Sequence, residues 1–329
     1  MSRGGIIGRM SHIQLDEGFQ HIISLENLLG AWKEFLGGKR ARRDVQDFEH
    51  NLMDNVVMLH NDLIAKTYHH SPYEAFNISD PKPRSIHKAS VRDRLLHHAV
   101  HRVLCHYFSR KFIADSFSCQ LGKGTHRALN RFRAFGYRVS QNHTRTCWVL
   151  QCDIRKFFAS IDHDILNDII AKHIPDSDTL WLLSRIISSF FPGLPLGNLT
   201  SQLMVNIYMN EFDQWVKHAL KVKHYIRYAD DFAILHGDKS YLQELLSRIG
   251  DFLQEKLHLD LHPHKVSLRT LASGIDFLGW AHFPDHRVLR MNTKRRMFRR
   301  LRECPVEATR QSYRGLLGHG NTYNIRESI

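Results

Sequence analysis

The sequence predicts an α+β fold in which helices cover a central sheet. Three observations lead there. Short apolar runs of strand character occur at 148–152 and 232–235, each bounded by polar residues. Elsewhere lie longer windows of amphipathic spacing, as at Phe48, Leu52, Val56, Leu59 and Leu63. A hydrophobic content of 43% supports a real core, and 329 residues suffice for one large fold or for two to three subdomains. Strands alternating with helices in this way favour layered packing.

In chain order, residues 1–24 read as partly disordered, with Gly4, Gly5 and Gly8 early. Helices are expected over 25–35, 45–66, 92–112, 177–191, 203–222 and 240–257, and a basic-faced helix over 293–301. Residues 37–43 form a flexible basic loop, either a solvated turn or a nucleic-acid contact. Residues 274–280 read as an apolar strand pair bent at Gly279. No internal repeat or low-complexity linker interrupts the chain.

A net charge of +13 and a pI near 9.6 call for a polyanionic partner, most simply nucleic acid. Residues 285–329 carry eleven Lys and Arg against four Asp and Glu, so the charge is concentrated near the C-terminus. Five cysteines without a Cys-x-x-Cys pair predict a reduced, cytoplasmic protein with no zinc module. No apolar run reaches membrane-spanning length, and the 24 histidines show no His-Glu-x-x-His pattern.

The densest chemical signal is Tyr228-Ala229-Asp230-Asp231, two acids between apolar runs. A strand–turn–strand reading sets both at a hairpin tip. Adjacent like charges on a half-buried hairpin are unfavourable unless a cation or base sits beside them; the plain alternative is a solvated turn. A third acid, Asp153, ends the predicted strand of 148–152. An acid at a strand end beside two on a hairpin is the arrangement that holds two divalent ions for in-line phosphoryl transfer. Magnesium suits a few carboxylates, water and substrate phosphates, and manganese can substitute.

These residues resemble motifs A and C of reverse transcriptases, and further blocks agree in order. Asp80-Pro81-Lys82-Pro83-Arg84, Arg92-Asp93-Arg94 and the segment 116–126 resemble fingers blocks; 196–202 resembles motif B, His264-Lys265 motif D, and Phe277-Leu278-Gly279-Trp280 the primer grip of motif E. The resemblance runs from about residue 80 to 280. Motif B carries Leu196 where most of the family has Gln, and Gln202 where most have Pro. That form is most similar to the reverse transcriptases of diversity-generating retroelements, with group II intron, retron and phage-defence enzymes as relatives.

The resemblance implies an RNA-directed DNA polymerase with a right-hand fold: an N-terminal helical extension (1–70), fingers (71–145), a palm built on an antiparallel sheet (146–284) and a small basic thumb (285–329). Asp153, Asp230 and Asp231 would be catalytic metal ligands, joined by the carbonyl of Ile154. Lys82, Arg84, Phe158, Leu196, Gly197 and Gln202 would meet the incoming dNTP, with Phe158 as the gate against a ribose 2′-hydroxyl and Phe157 left to core packing. Arg84 offers a planar fork for phosphate. Lys265 is a candidate general acid or a solvated surface lysine. Lys294, Arg295, Arg296, Arg299 and Arg300 would track nucleic-acid phosphates. Implied partners are an RNA template, a DNA or RNA primer, a structured noncoding RNA and an accessory variability determinant, a helical-bundle oligomer; no membrane is implied. In a retroelement enzyme the loss of the polar Gln at 196 would loosen checking of the base pair, giving errors opposite adenine. The alternatives are a retron-like or defence enzyme, or a maturase-like RNA-binding protein on the same fold.

Overall fold

The computed structural model describes residues 18–80 and 82–327. The expected disorder of 1–24 therefore lies outside it as far as residue 17, while the described end is helical. In chain order come α1 (Gly18–Ile23), α2 (Leu25–Phe35), α3 (Arg43–His50), α4 (Leu52–Ile64), the hairpin strands β1 (Glu74–Ile78) and β2 (Arg84–Lys88), α5 (Val91–Phe108), α6 (Thr125–Val139) and β3 (Trp148–Asp153). Then follow α7 (His163–Ala171), α8 (Ser177–Ser188), α9 (Leu199–Gln214), β4 (Tyr225–Tyr228), β5 (Asp231–His236) and α10 (Lys239–Leu257). The last part holds β6 (Ser267–Thr270), β7 (Ile275–Phe277), β8 (Trp280–His282), β9 (Arg287–Leu289), α11 (Met291–Glu303), α12 (Glu307–Leu317) and α13 (Tyr323–Arg326).

The chain forms two compact units, each assembled from separated segments. Among the described residues, one comprises 18–78, 83–111 and 161–208, and the other 79–80, 82, 112–160 and 209–327. In the first, α5 is the central helix, and Asn27 of α2 ties to it by donating to the Ala99 carbonyl at 3.1 Å. Ser90 caps α5 by accepting from the Asp93 amide at 3.1 Å. Asp93 is itself fully buried and accepts from the Tyr68 hydroxyl at 2.8 Å and the Ser71 amide at 3.0 Å. Such satisfaction is what a buried carboxylate requires.

The second unit is built on a four-stranded antiparallel sheet of order β4-β5-β3-β6 and a three-stranded sheet of order β7-β8-β9. Phe132 and Phe135 of α6, Val149, Ile226, Leu235, Phe277, Trp280, Met297 and Leu317 share one core cluster. The residues expected as motif E thus divide: Phe277 and Trp280 are 3% and 1% exposed, and the turn between them is Leu278-Gly279, with φ of 49° and 85°. Both positive angles suit a tight two-residue hairpin turn.

Several helix boundaries differ from expectation. The single helix expected over 45–66 is two helices broken at Asn51, whose φ of −115° and ψ of 40° leave the helical region. The break is stabilised because Asn55 donates to the freed Phe48 carbonyl at 3.0 Å. The helix expected over 203–222 starts at Leu199 and gives way after Gln214 to a wider π turn at Trp215–Ala219. The helices expected to reach 112 and 191 end at Phe108 and Ser188. All five cysteines are free, and among the described residues no helix is long and apolar enough to cross a membrane.

The turn at 318–322 closes over the three-stranded sheet. Asn321 donates its amide to the Arg287 carbonyl at 2.9 Å, and a Cβ on Gly320 would lie 2.0 Å from the Trp280 ring. Gly320→Ala should therefore lower stability by about 1–3 kcal/mol through overpacking, read as a Tm reduced by several degrees; an unchanged Tm would show that Trp280 moves freely.

Candidate active site

Strand β3 lies inside the four-stranded sheet, and its last residue, Asp153, is the direct cross-strand partner of Asp231, the first residue of β5. Tyr228 and Asp231 close the β4–β5 hairpin, so Ala229 and Asp230 form a two-residue turn. Three carboxylates thus gather at one end of one sheet. Ala229 has φ of 56°, a left-handed conformation that costs a non-glycine residue about 1 kcal/mol or more. Tyr228 is anchored by its hydroxyl, 3.1 Å from that of Thr125.

Asp153 is 8% exposed and accepts a hydrogen bond from Lys265 Nζ at 2.7 Å. The turn carrying Lys265 is set by backbone pairing around β3: the Arg155 amide donates to Asp260, and the His262 amide to the Asp153 carbonyl at 2.8 Å. Ile154 is buried and bridges Leu261. Burial, then the charge of Asp230 and the hydrogen bond and charge of Asp153, push the Asp231 carboxyl up to about 7, against the opposing pull of Lys265. The cluster therefore holds more carboxylate than its surroundings neutralise. Lys265 places a cationic group on it, and among the described residues no three His, Cys, Asp or Glu side chains stand preassembled as a metal cage.

Phe157 is buried at 3% exposure while Phe158, beside it, is half-buried. Burial pushes the Cys147 and Cys152 thiols up to about 12, which leaves no nucleophilic thiolate near β3.

The other expected residues fall in two groups. Arg84, Leu196, Gly197 and Gln202 belong to the first unit. There the Leu196 carbonyl accepts from the His87 amide at 3.0 Å, and Asn198 donates to the His87 carbonyl at 2.9 Å, which lashes the loop before α9 to β2. Gly197, with φ of 106°, approaches Ile86 so closely that a Cβ would sit 2.8 Å from it. Glycine is thus demanded by conformation and by contact. Arg84 is exposed at the start of β2, whereas Arg92 and Arg94 pair with Asp62 and Asp44, each at 2.6 Å. Pro81 lies outside the described residues.

In the second unit, Lys82 is exposed, and α11 carries Lys294, Arg295, Arg296, Arg299 and Arg300. Arg299 and Arg300 lie 3.5 and 3.8 Å from Asp80, exposed pairs that exchange readily for other anions. The sequence reading did not find Asp213 and Arg227, both fully buried and paired at 2.6 Å. The available signal was an arginine inside the apolar strand Tyr225-Ile226-Arg227-Tyr228, which requires a partner.

A family model described as reverse transcriptase (RNA-dependent DNA polymerase) matches residues 78–282. Among curated proteins, the chain is 23% identical to protein YkfC of Escherichia coli K12 over 288 residues, covering 74% of each. It is 23% identical to the group II intron-encoded protein LtrA of Lactococcus lactis over 306 residues, 70% of this chain but only 49% of that protein. Among solved structures, apo telomerase from Candida tropicalis truncated from its C-terminal domain superposes with a TM-score of 0.52 at 10% identity, over 70% of this chain and 59% of that one. That likeness concerns the fold, the right-hand polymerase fold. The family match spans more than half of the chain and contains Asp153, Asp230, Asp231 and Lys265; the chain belongs to the reverse transcriptase family of RNA-dependent DNA polymerases.

Proposed function

We propose that the protein synthesises cDNA on an RNA template by two-metal-ion nucleotidyl transfer at Asp153, Asp230 and Asp231. The observation that carries this reading is the facing of Asp153 and Asp231 across β3 and β5, with Asp230 in the adjoining turn. Excess carboxylate with a lysine ammonium already drawn onto it is a donor set that takes divalent cations. Magnesium, with manganese as a substitute, would be held by these three acids and the Ile154 carbonyl, and when bound would supply primer-hydroxyl acidification and triphosphate neutralisation.

The chain's own residues do the rest. Lys82 and Arg84 are exposed cations suited to the triphosphate. Phe158 keeps an accessible ring five residues beyond Asp153 and would collide with a 2′-hydroxyl, favouring deoxynucleotides. Lys265 Nζ stands 2.7 Å from Asp153 Oδ1 and is the candidate general acid toward pyrophosphate. The Leu278-Gly279 turn would hold the primer, and the basic residues of α11 would follow the duplex as a thumb. Residues 1–70, 71–145, 146–284 and 285–329 serve as extension, fingers, palm and thumb.

The finer assignment is the adenine-mutagenic enzyme of a diversity-generating retroelement, working in the cytoplasm with a structured noncoding RNA and a helical-bundle accessory protein. Leu196 and Gln202 support it, since an apolar side chain beside Gly197 offers the base pair no hydrogen bond. The likeness to a group II intron-encoded protein supports a second reading, a maturase-like RNA-binding protein.

Primer extension on an adenine-containing RNA with dNTPs and Mg2+ tests the main reading. Asp230→Asn should reduce kcat on the order of 10²–10³-fold, and undiminished activity would remove the metal assignment. A wild type inactive on every RNA, with accessory protein supplied, would favour the maturase-like reading. In sequenced products, Leu196→Gln should lower misincorporation opposite adenine by about tenfold; an unchanged error spectrum would acquit Leu196. The raised pKa of Asp231 also sets a pH dependence. Between the ordinary carboxylate value and about 7, Asp231 keeps its proton in the folded protein and loses it in the unfolded chain, so its own contribution to stability without metal should fall as pH rises through that window, against the opposite contribution of the buried histidines. Mg2+ should raise the Tm at pH 7.5 far more than at pH 5, and the metal-free Tm of wild type relative to Asp231→Asn should fall from pH 5 to pH 7.5; a difference that stays constant over this range would contradict the assignment.

A further inference from the structure

Arg227 sits in β4, one residue before the hairpin's closing Tyr228, with 0% of its surface exposed. A guanidinium so enclosed must be paired and hydrogen-bonded throughout. Its Nε and Nη2 donate to the two oxygens of Asp213, at 2.8 and 2.6 Å, as a bidentate fork. Asp213, also 0% exposed, accepts in addition from the Tyr225 hydroxyl at 2.6 Å. The Arg227 backbone is clamped as well: its amide donates to the Asp115 carbonyl, and its carbonyl accepts from the Phe117 amide, both at 3.0 Å. Asp115 is in turn gripped by Arg131 at 2.6 Å and Lys217 at 3.0 Å.

The remaining arm of the fork reaches forward. Arg227 Nη1 donates to the carbonyl of Ala229 at 3.0 Å. That carbonyl belongs to the peptide group joining Ala229 to Asp230, so its direction sets the plane from which Asp230 departs. Ala229 is held at φ of 56°, a conformation an alanine does not choose unaided. A buried, fully paired cation is a rigid donor, and a charge-assisted hydrogen bond from it is strong.

We propose that Arg227 is a positioning residue of the nucleotidyl-transfer site: with Asp213 as its fixed anchor, it holds the Ala229–Asp230 peptide so that the Asp230 and Asp231 carboxylates converge on the cations. The inference rests on reading those acids as metal ligands. It explains why arginine stands in an apolar strand. A lysine could satisfy Asp213, but it has no planar fork to aim a separate N–H at the Ala229 carbonyl.

The test compares wild type, Arg227→Lys and Asp213→Asn. It measures thermal stability, template–primer affinity, kcat in primer extension, and Mn2+ binding by electron paramagnetic resonance of the free ion. The expected result for a folded variant is Mn2+ affinity weakened several-fold and kcat lowered by about tenfold or more, with template–primer affinity within about twofold of wild type. A purely structural pair would lower Tm without moving Mn2+ affinity per folded molecule. A folded variant with wild-type Mn2+ affinity and kcat overturns the proposal. So does loss of the folded state in both variants, which assigns the pair to stability alone. If wild type is active, Asp230→Asn is inactive and Arg227→Lys matches wild type, the positioning role fails while the polymerase reading stands; a wild type inactive on every template and without Mn2+ affinity removes both.

Discussion

Two carboxylates facing each other across neighbouring strands are the constraint on which the second unit turns. Asp153 and Asp231 are register partners, and like charges so placed oppose the pairing that brings them together. The strands stay paired because β3 lies between β5 and β6, with Val149, Leu150, Phe232, Ala233 and Ile234 buried on the two paired strands. The repulsion is relieved locally: Asp231 retains its proton to higher pH and Lys265 bonds Asp153. Apolar burial thus supplies the force and the acids collect its strain at one edge, where a bound cation would relieve it.

Much of this was legible in the sequence. Helix α2 occupies the predicted 25–35, and the apolar runs at 148–152 and 232–235 lie in β3 and β5. Those signals are local, carried by periodicity within one element. Long-range contacts were not legible. Lys265 meets Asp153 across a separation of 112 residues, which no spacing rule links. The break at Asn51 was missed because the amphipathic pattern continues in phase across it, while the side chain of Asn55 makes the interruption affordable. The divided roles of Phe277 and Trp280, which are buried, and Leu278 and Gly279, which form the turn, depend on a hairpin register that the apolar run alone does not specify.

The basicity of the chain also takes a sharper form. Of the 24 histidines, His97, His98 and His282 are pushed by burial to about 3, 4 and 4. They stay neutral near pH 7 and act as polar packing groups. These three add nothing to the charge available to a polyanion, and among the arginines Arg92, Arg94 and Arg227 are committed to acids. Salt-sensitive binding would fall chiefly to exposed cations such as Lys82, Arg84, Arg295, Arg299 and Arg300.

The contact of Gly320 with Trp280 has a consequence for synthesis on the ribosome. The β7–β9 sheet is encoded well before the turn that covers it. While residues 318–322 remain in the exit tunnel, the Trp280 ring lacks its lid and presents apolar surface to water. Closure over that face waits for a residue that has no side chain, so the sheet is completed only by nearly the last part of the chain to be made.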